Sequence, residues 1–395
     1  MYLIQSEKGG APMPWQNMLN ENMTTAEQLQ KHIFFREEHL EQLQRISKRF
    51  PFSIPPYYLS LIDPSDPHDP IRKMCVPALD ELDPGGRLDT SGEASNTVLT
   101  GLQHKYRQTA LVLSTNACAM YCRHCFRKRL VGLEGRETQP RRDKILAYIR
   151  KHHEISNVLL SGGDALLNPT PVLHEYLEEL SGMEHLDVVR ICSRTPVVLP
   201  MRIYMDQKLL DLFKEYGAQK HLCLVTQFNH PRELSPQAQR ALDALQECGV
   251  MVRNQTVLLH GVNDHGPTLG KLLKELVRRG VVPYYVFQCR PVTGVKNNFQ
   301  VPISQAYAIV EEAKQMQNGL GKTFRYVLSH ETGKIEILGP VGNGRWLFKY
   351  HQAKTQEDQG RLFSVTLRPG QRWLGGKDVR EIPWEDAEDS VGASA

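Results

Sequence analysis

The pattern of apolar and polar positions changes character near residue 110. Beyond it, short apolar runs recur: ALVLS (110–114), NVLLSGG (157–163), VVRICS (188–193), HLCLVTQF (221–228), VMVRNQTVLL (250–259) and YYVFQC (284–289). Amphipathic stretches with helical spacing fill most of the gaps, at 144–153, 171–180, 207–216, 236–248 and 270–279. Short runs bounded by turn residues read as strands, and the longer periodic stretches as helices. The alternation predicts an α/β chain of parallel units with right-handed crossovers. Six such units suit an open (β/α)6 partial TIM barrel better than a closed eightfold ring. Chemistry in such barrels collects at the C-terminal ends of the strands. The polar segments 116–125, 161–164 and 193–196 fall there.

Before residue 110 the pattern is different. Thr24-Thr25-Ala26-Glu27 reads as a capping box opening one charged helix that runs to about Phe50. Residues 51–77 carry many prolines, including DPSDPHDP, and predict an extended segment wrapping the core. The polar, glycine-containing stretch 85–96 reads as a linker or lid. After about Asn297 come a helix, the segment FRYVLSHETGKIEILG and a polar tail that frays from Asp378. The expected organisation is an N-terminal helical and extended region (1–105), the partial barrel (106–300) and a C-terminal extension (301–395). No repeat shows beyond the strand–helix alternation.

Composition narrows the function. With 41% hydrophobic and 23% charged residues, the chain falls in the soluble globular class. It has no run of about 18 apolar residues, so no membrane span is expected. The first residues, MYLIQSEKGGAPMPWQ, lack the pattern of a secretory signal, so the cytoplasm, where thiols stay reduced, is the expected location. A net charge of +4 is too mild for a nucleic-acid partner. The basic turn 123–129 is the one local exception.

That turn overlaps CAMYCRHC (118–125), three cysteines in eight residues of a chain with eight cysteines in all. A structural zinc site wants four protein ligands, usually as two pairs. Cys75, Cys192, Cys223, Cys248 and Cys289 stand singly, and Cys192, Cys223 and Cys289 read as buried core thiols. A 4Fe–4S cubane normally takes one thiolate per iron, so Cys118, Cys122 and Cys125 would leave one iron open. The amine and carboxylate of S-adenosylmethionine can chelate that corner. An electron from the cluster can then break the sulfonium bond and release a 5′-deoxyadenosyl radical.

The spacing C-x3-C-x2-C after a first strand resembles the radical S-adenosylmethionine (SAM) superfamily. CAMYCRHCFRKR, LLSGGDALL, SRTPVVLP, FNHP, NQTVLLHGVND and PYYVFQC, with PPYYLSLIDPSDPHDPIRK upstream, resemble the lysine 2,3-aminomutase family in order and spacing, over roughly residues 15–339. The resemblance implies a radical SAM barrel and an isomerase moving an amino group from Cα to Cβ of an amino acid. It implies Cys118, Cys122 and Cys125 as cluster ligands and Gly162, Gly163 and Asp164 as the segment meeting the cofactor's amino group. Ser193, Thr195, Asn229, His230 and Gln255 become candidates for ribose or carboxylate contacts. Arg127 matches the arginine that clamps the substrate's α-carboxylate, a task suited to a planar fork. Lys334 aligns with the lysine that carries pyridoxal phosphate (PLP), and Lys105 and Tyr106, with Arg107, fall in the phosphate-binding segment. The resemblance also implies a small amino acid substrate, a reduced flavodoxin or ferredoxin-type electron donor and a homo-oligomer.

The chain departs from the family at identifiable places. Only Gly333 remains of the glycine run before Lys334, and Thr109 stands where an arginine is expected. In lysine-using members an acid follows the PYYxxQC strand and grips the distal ammonium; here that place is Arg290. A second distal acid is missing unless Glu331 substitutes, and no cysteine follows Cys289. A cation at Arg290 repels lysine's side chain and attracts a carboxylate, so the expected substrate is not lysine and has an acidic or other non-basic side chain. Two alternatives stay open on the residues alone. One is a PLP-independent radical enzyme acting as epimerase, dehydratase or other hydrogen abstractor. The other is a non-catalytic RNA-associated iron–sulfur protein using residues 123–129.

Overall fold

The computed structural model describes residues 15–35, 37–132, 141–219 and 221–380. Twelve strands form one sheet in simple sequential order. They are β1 (Thr97–Leu99), β2 (Leu102–Tyr106), β3 (Thr109–Thr115), β4 (Asn157–Gly162), β5 (Val188–Cys192) and β6 (His221–Thr226), then β7 (Met251–Leu258), β8 (Val282–Gln288), β9 (Arg325–His330), β10 (Gly333–Gly342), β11 (Arg345–Ala353) and β12 (Leu362–Thr366). From β3 to β9 every pairing is parallel. The flanking pairs β1–β2–β3 and β9–β10–β11–β12 are antiparallel. Among the described residues the two end strands do not pair, so the sheet stays open.

A helix crosses over each parallel step: Arg142–Lys151, Thr170–Ser181, Gln207–Gln219, Pro236–Glu247, Gly266–Arg278 and Ile303–Gln315. Local chemistry sets their starts. Ser235 accepts from Ala238 N at 3.1 Å with Pro236 in the first turn, a side-chain cap and a preset φ together. The parallel run holds one strand more than the sequence spacing counts. The extra strand is β9, inside FRYVLSHETGKIEILG, which turns at 331–332 and returns as β10.

Alternation along the strands decides what faces where. Val158, Leu160, Val189, Ile191, Leu222, Leu224 and Val252 are buried in the main core, at about 1.5–3 kcal/mol per fully buried side chain. Their neighbours Leu159, Ser161, Arg190, Cys192, Cys223, Val225, Arg253 and Gln255 line a cavity on the other face. A second core packs the helices Gly266–Arg278 and Ile303–Gln315 against β9–β12.

The N-terminal region differs from its sequence reading in detail. The capping box is Thr25 with Gln28, one position later than expected, and the helix it opens, Ala26–Gln30, is separate from Glu37–Arg49. Gln28 rather than Glu27 reaches back because only the third helical position faces the cap. The proline-rich stretch wraps the core as expected but condenses into two short helices, Pro56–Leu59 and Pro70–Cys75. Stretch 85–96 is a strap pinned by backbone bonds Arg87 N to Pro291 O at 3.0 Å and Thr293 N to Arg87 O at 3.3 Å. No described helix is long and apolar enough to cross a membrane.

Candidate active site

The cavity occupies about 1500 Å³. Single-ligand sites usually occupy about 300–1,000 Å³, so there is room for more than one small molecule. The cysteine loop leaves the C-terminal end of β3 and is held from several sides. Asn22 Nδ2 donates to Ala119 O at 2.8 Å, Tyr121 N to Ser53 O at 3.0 Å and Arg123 N to Met74 O at 2.9 Å. The tightest seam is with the glycines after β4: Gly163 N donates to Thr115 O at 2.6 Å and Asp164 N to Ala117 O at 2.8 Å. A Cβ on Gly162 would overlap Thr115 O, and one on Gly163 would overlap Ala117 O. Gly162 also has φ +129, where L side chains rarely sit. The close backbone approach expected of these glycines is therefore made to the cysteine loop.

Cys118, Cys122 and Cys125 all line the cavity. The three thiols do not gather as ligands of one ion would. Among the described residues the only three ligand groups lying within 4.8 Å of one another are those of His104, His152 and Glu154. Three thiol donors on one cavity wall are the donor set that the irons of a cubane take, one thiolate each. Burial, then Asp164 and the neighbouring thiols, push Cys118 up; burial and Cys122 push Cys125 up to about 11. Arg194 Nη1 donates to Cys122 Sγ at 2.9 Å, and Arg127 N to Cys125 Sγ at 3.3 Å.

The strand-end candidates divide into two groups. Gly162, Gly163, Asp164, Ser193 and Gln255 line the cavity. Asp164 accepts from Ser193 Oγ at 2.6 Å, Arg194 N at 2.7 Å and Leu166 N at 3.0 Å, tying the ends of β4 and β5 together. Thr195, Asn229 and His230 do not line it. Asn229 is fully buried, accepting from Val257 N at 2.9 Å and standing 3.2 Å from His124 Nε2. His230 caps a short 3-10 turn through Arg232 N at 3.2 Å. Cys223 and Cys289 are buried as read, Cys192 is half-buried, and all three also border the cavity.

The basic turn is internal. Glu81, fully buried, receives Arg123 Nε at 2.8 Å and Nη2 at 2.5 Å, and also Lys128 Nζ. Glu93, 4% exposed, receives Arg127 Nε and Arg129 Nη2, each at 2.8 Å. Arg127 further donates from Nη1 to Ser161 Oγ at 3.0 Å and Gly162 O at 3.2 Å. Arg123, Arg127 and Lys128 are 2%, 6% and 8% exposed, so they offer no cationic surface to RNA.

Lys334, on β10, projects into the same cavity. Its register partners are Ser329 on β9 and Gln352 on β11, and Nζ donates to Gln352 Oε1 at 2.9 Å. The rings of Tyr106 and Tyr285 stand 5.2 and 5.3 Å from Nζ. Burial, then Arg190 and Arg290, bring this amine down to about 7. An amine that is substantially neutral near pH 7 suits covalent attachment to a carbonyl, so the residues present fit PLP at this position. Lys105 donates to His330 O at 2.7 Å and Ser91 O at 3.4 Å, and Arg107 is exposed. Arg290 donates to Ser91 Oγ and to Ser329 Oγ, the latter at 2.5 Å. Glu331 lies outside the cavity and pairs with Arg87 at 3.3 Å.

Comparison with known proteins decides the family. The radical SAM superfamily model matches residues 112–272. A protein of Aquifex aeolicus that carries L-lysine 2,3-aminomutase as a provisional name is 43% identical over 340 residues, 86% of this chain and 90% of that one. The L-lysine 2,3-aminomutase of Clostridium subterminale is 39% identical over 309 residues, 77% and 73% of the two chains. This chain belongs to the lysine 2,3-aminomutase family. The glutamate 2,3-aminomutase of Clostridioides difficile is 34% identical over 322 residues, 80% and 75% of the two chains.

As a member of that family the protein is a radical SAM isomerase, with the family's cofactors: a 4Fe–4S cluster, S-adenosylmethionine and PLP. The aminomutase scaffold also contains functional neighbours that the sequence reading missed. Arg194 reaches the Cys122 thiol, and Glu81 and Glu93 neutralise the basic turn. His124 and Gln227, 3.2 Å apart, line the cavity, and burial holds the imidazole neutral, at about 3. Arg194 and His124 sit inside the quoted motifs, so proximity to the cysteines was the available signal. Glu81 and Glu93 had none.

Proposed function

We propose that the protein is a 2,3-aminomutase for an amino acid with an acidic side chain, working in an open (β/α)6 partial barrel. The observation that carries the reading is Arg290 on the cavity wall, backed by the hydroxyls of Ser91 and Ser329. Of the lining acids, Glu93 holds two arginines, Asp164 accepts from three donors, and Asp187 is an exposed residue just ahead of β5. A lysine ammonium would meet a cation without a counter-charge, at a cost of several kcal/mol. A carboxylate would meet Arg290.

In this reading Cys118, Cys122 and Cys125 hold the cluster, and Gly162, Gly163, Asp164, Ser193 and Gln255 form the seat for S-adenosylmethionine. Thr195, Asn229 and His230 support that seat from behind. Arg127 addresses the α-carboxylate from a position fixed by Glu93, and Arg290 reads the side chain. PLP, when bound, would supply an imine π bond that lets the amino nitrogen shift between neighbouring carbons. Lys334 holds it, Tyr106 and Tyr285 flank the attachment point, and Lys105 adds charge beside it. The barrel wall excludes water from the radical. The described parts of 1–105, 106–300 and 301–395 act as one unit, since the sheet runs from residue 97 to 366. The enzyme is cytoplasmic, receives its electron from a reduced flavodoxin or ferredoxin-type protein, and works as a homo-oligomer.

The test is anaerobic incubation with reductant, S-adenosylmethionine and single amino acids, scoring 5′-deoxyadenosine and β-amino products. Glutamate or aspartate should turn over and lysine should not. Efficient turnover of lysine would overturn the substrate reading.

A further inference from the structure

Two guanidinium groups enter the cavity wall with no acid to meet them among the described residues. Alternation turns Arg190 on β5 and Arg253 on β7 toward the cavity. Between them runs β6, where Cys223 is the register partner of Arg190 and Val225 that of Arg253. Both arginines act on the Cys223 thiol, which they pull down against its burial. Among the described residues neither has a carboxylate within 4.0 Å. Arg190 donates from Nη2 to Asn157 Oδ1, and its Nε is buried without a partner. Arg253 lies 5.5 Å from the Tyr284 ring centroid. Half-buried cations in a strand layer are costly unless something anionic compensates them.

Their surroundings indicate which anion. Arg190 is the strongest charged influence on Lys334 after burial. It is also joined through Asn157 to Thr109, whose Oγ1 receives Asn157 Nδ2 at 3.1 Å. Thr109 is where the family resemblance leads one to expect a phosphate-binding arginine. In the rest of that segment Lys105 is engaged by two backbone carbonyls and Arg107 is exposed. The charge missing from β3 is present two and four strands away, facing the same space.

We propose that Arg190 and Arg253 form the seat for the phosphate of pyridoxal phosphate, with Asn157 orienting Arg190. This rests on the reading that Lys334 carries that cofactor. A phosphate monoester matches the planar, two-pronged donor set of an arginine. Two guanidinium groups balance its double negative charge, leaving Arg290 for the substrate.

The experiment compares PLP with phosphate-free pyridoxal. Binding to the full-length, cluster-loaded protein is followed by absorbance, and attachment by borohydride trapping and mapping of the labelled peptide. Wild type should favour the phosphorylated aldehyde. Arg190→Met and Arg253→Met should each weaken it roughly ten- to hundredfold, the range for hydrogen bonds to a charged group, with pyridoxal unaffected. Arg253→Lys, which keeps the charge but loses the fork, should recover part of the preference and serves if the methionine variant does not fold. An unchanged preference in the arginine variants overturns the proposal, as does its loss in Lys105→Met instead. A change confined to KM for the amino acid would assign the pair to substrate and also overturn it. Failure of wild type to label Lys334 with either aldehyde removes the underlying reading as well, an outcome distinct from the others.

Discussion

Arg194 donates to the Sγ of Cys122 at 2.9 Å while its other nitrogens reach Gln227 O, Tyr58 and Glu233. With Cys122 as a proposed cluster ligand, this fixed positive charge favours the reduced, more negative state. Replacing Arg194 by Met, with Glu233→Gln to avoid a stranded buried acid, should lower the cluster's midpoint potential at unchanged iron content. A redox titration followed by electron paramagnetic resonance measures it. An unmoved midpoint would show the contact to be only structural.

Glu81 is a single carboxylate shared by two buried cations. Glu81→Gln strands Arg123 and Lys128, and the expected loss is about 3–5 kcal/mol, the range for breaking a buried pair. Burial alone would raise the Glu81 carboxyl, but Arg123 and Lys128 hold it below the usual range. Because the folded value is depressed, the stabilisation is complete above the unfolded value, about 4.3, and is lost as pH falls through the folded one. Anaerobic melting from pH 7 downward should show this acid-side loss in wild type and less of it in Glu81→Gln.

Gly163→Ala tests the seam beside the cysteines. The added methyl overlaps the Ala117 carbonyl, so the loop bearing Cys118 must shift. Iron incorporated on reconstitution should fall well below wild type while the far-ultraviolet dichroism is retained. Normal iron loading would show the loop to be more tolerant than its backbone contacts imply.

Lys334 titrates at about 7 because of burial first and then Arg190 and Arg290. Borohydride-trapped labelling of this lysine by pyridoxal should therefore rise with pH through 7 and level off above 8. An ordinary lysine would still be rising near 10. Arg290→Gln removes one repelling charge, so the profile should move to higher pH. A profile centred near 10 in wild type would place the amine in solvent.

Arg290→Glu reverses the charge proposed to face the substrate's side chain. Turnover of the acidic amino acid should fall by at least about a hundredfold, as expected for several kcal/mol of like-charge contact. Lysine should gain measurable turnover. Product analysis on both substrates is the readout, and a variant that keeps its preference would remove Arg290 from selectivity.

Strand–helix alternation located the helices between β3 and β8 to within a few residues, because each apolar run was bounded by turn residues. It missed β9 as a member of the parallel run because RYVLSH leads straight into a hairpin and resembles an appended ribbon. The cysteine loop and the glycines were legible because their chemistry is local. Thr195, Asn229 and His230 were not, since a strand-end polar residue can face the cavity or brace it, and only packing decides. The basic turn was the hardest to read. Its counter-charges lie 34 to 47 residues upstream, in segments whose composition gives no sign of them.

Those distant acids bear on where the chain can be cut. A fragment starting at β1 would retain every described strand and all three clustered cysteines, yet Arg123 and Lys128 would lose Glu81, and Arg127 would lose Glu93. The stretch ahead of β1 thus carries the counter-charges of the cysteine loop. Truncation there would keep the sheet but strip the N-terminal side of its core and leave the cysteine loop repelling itself.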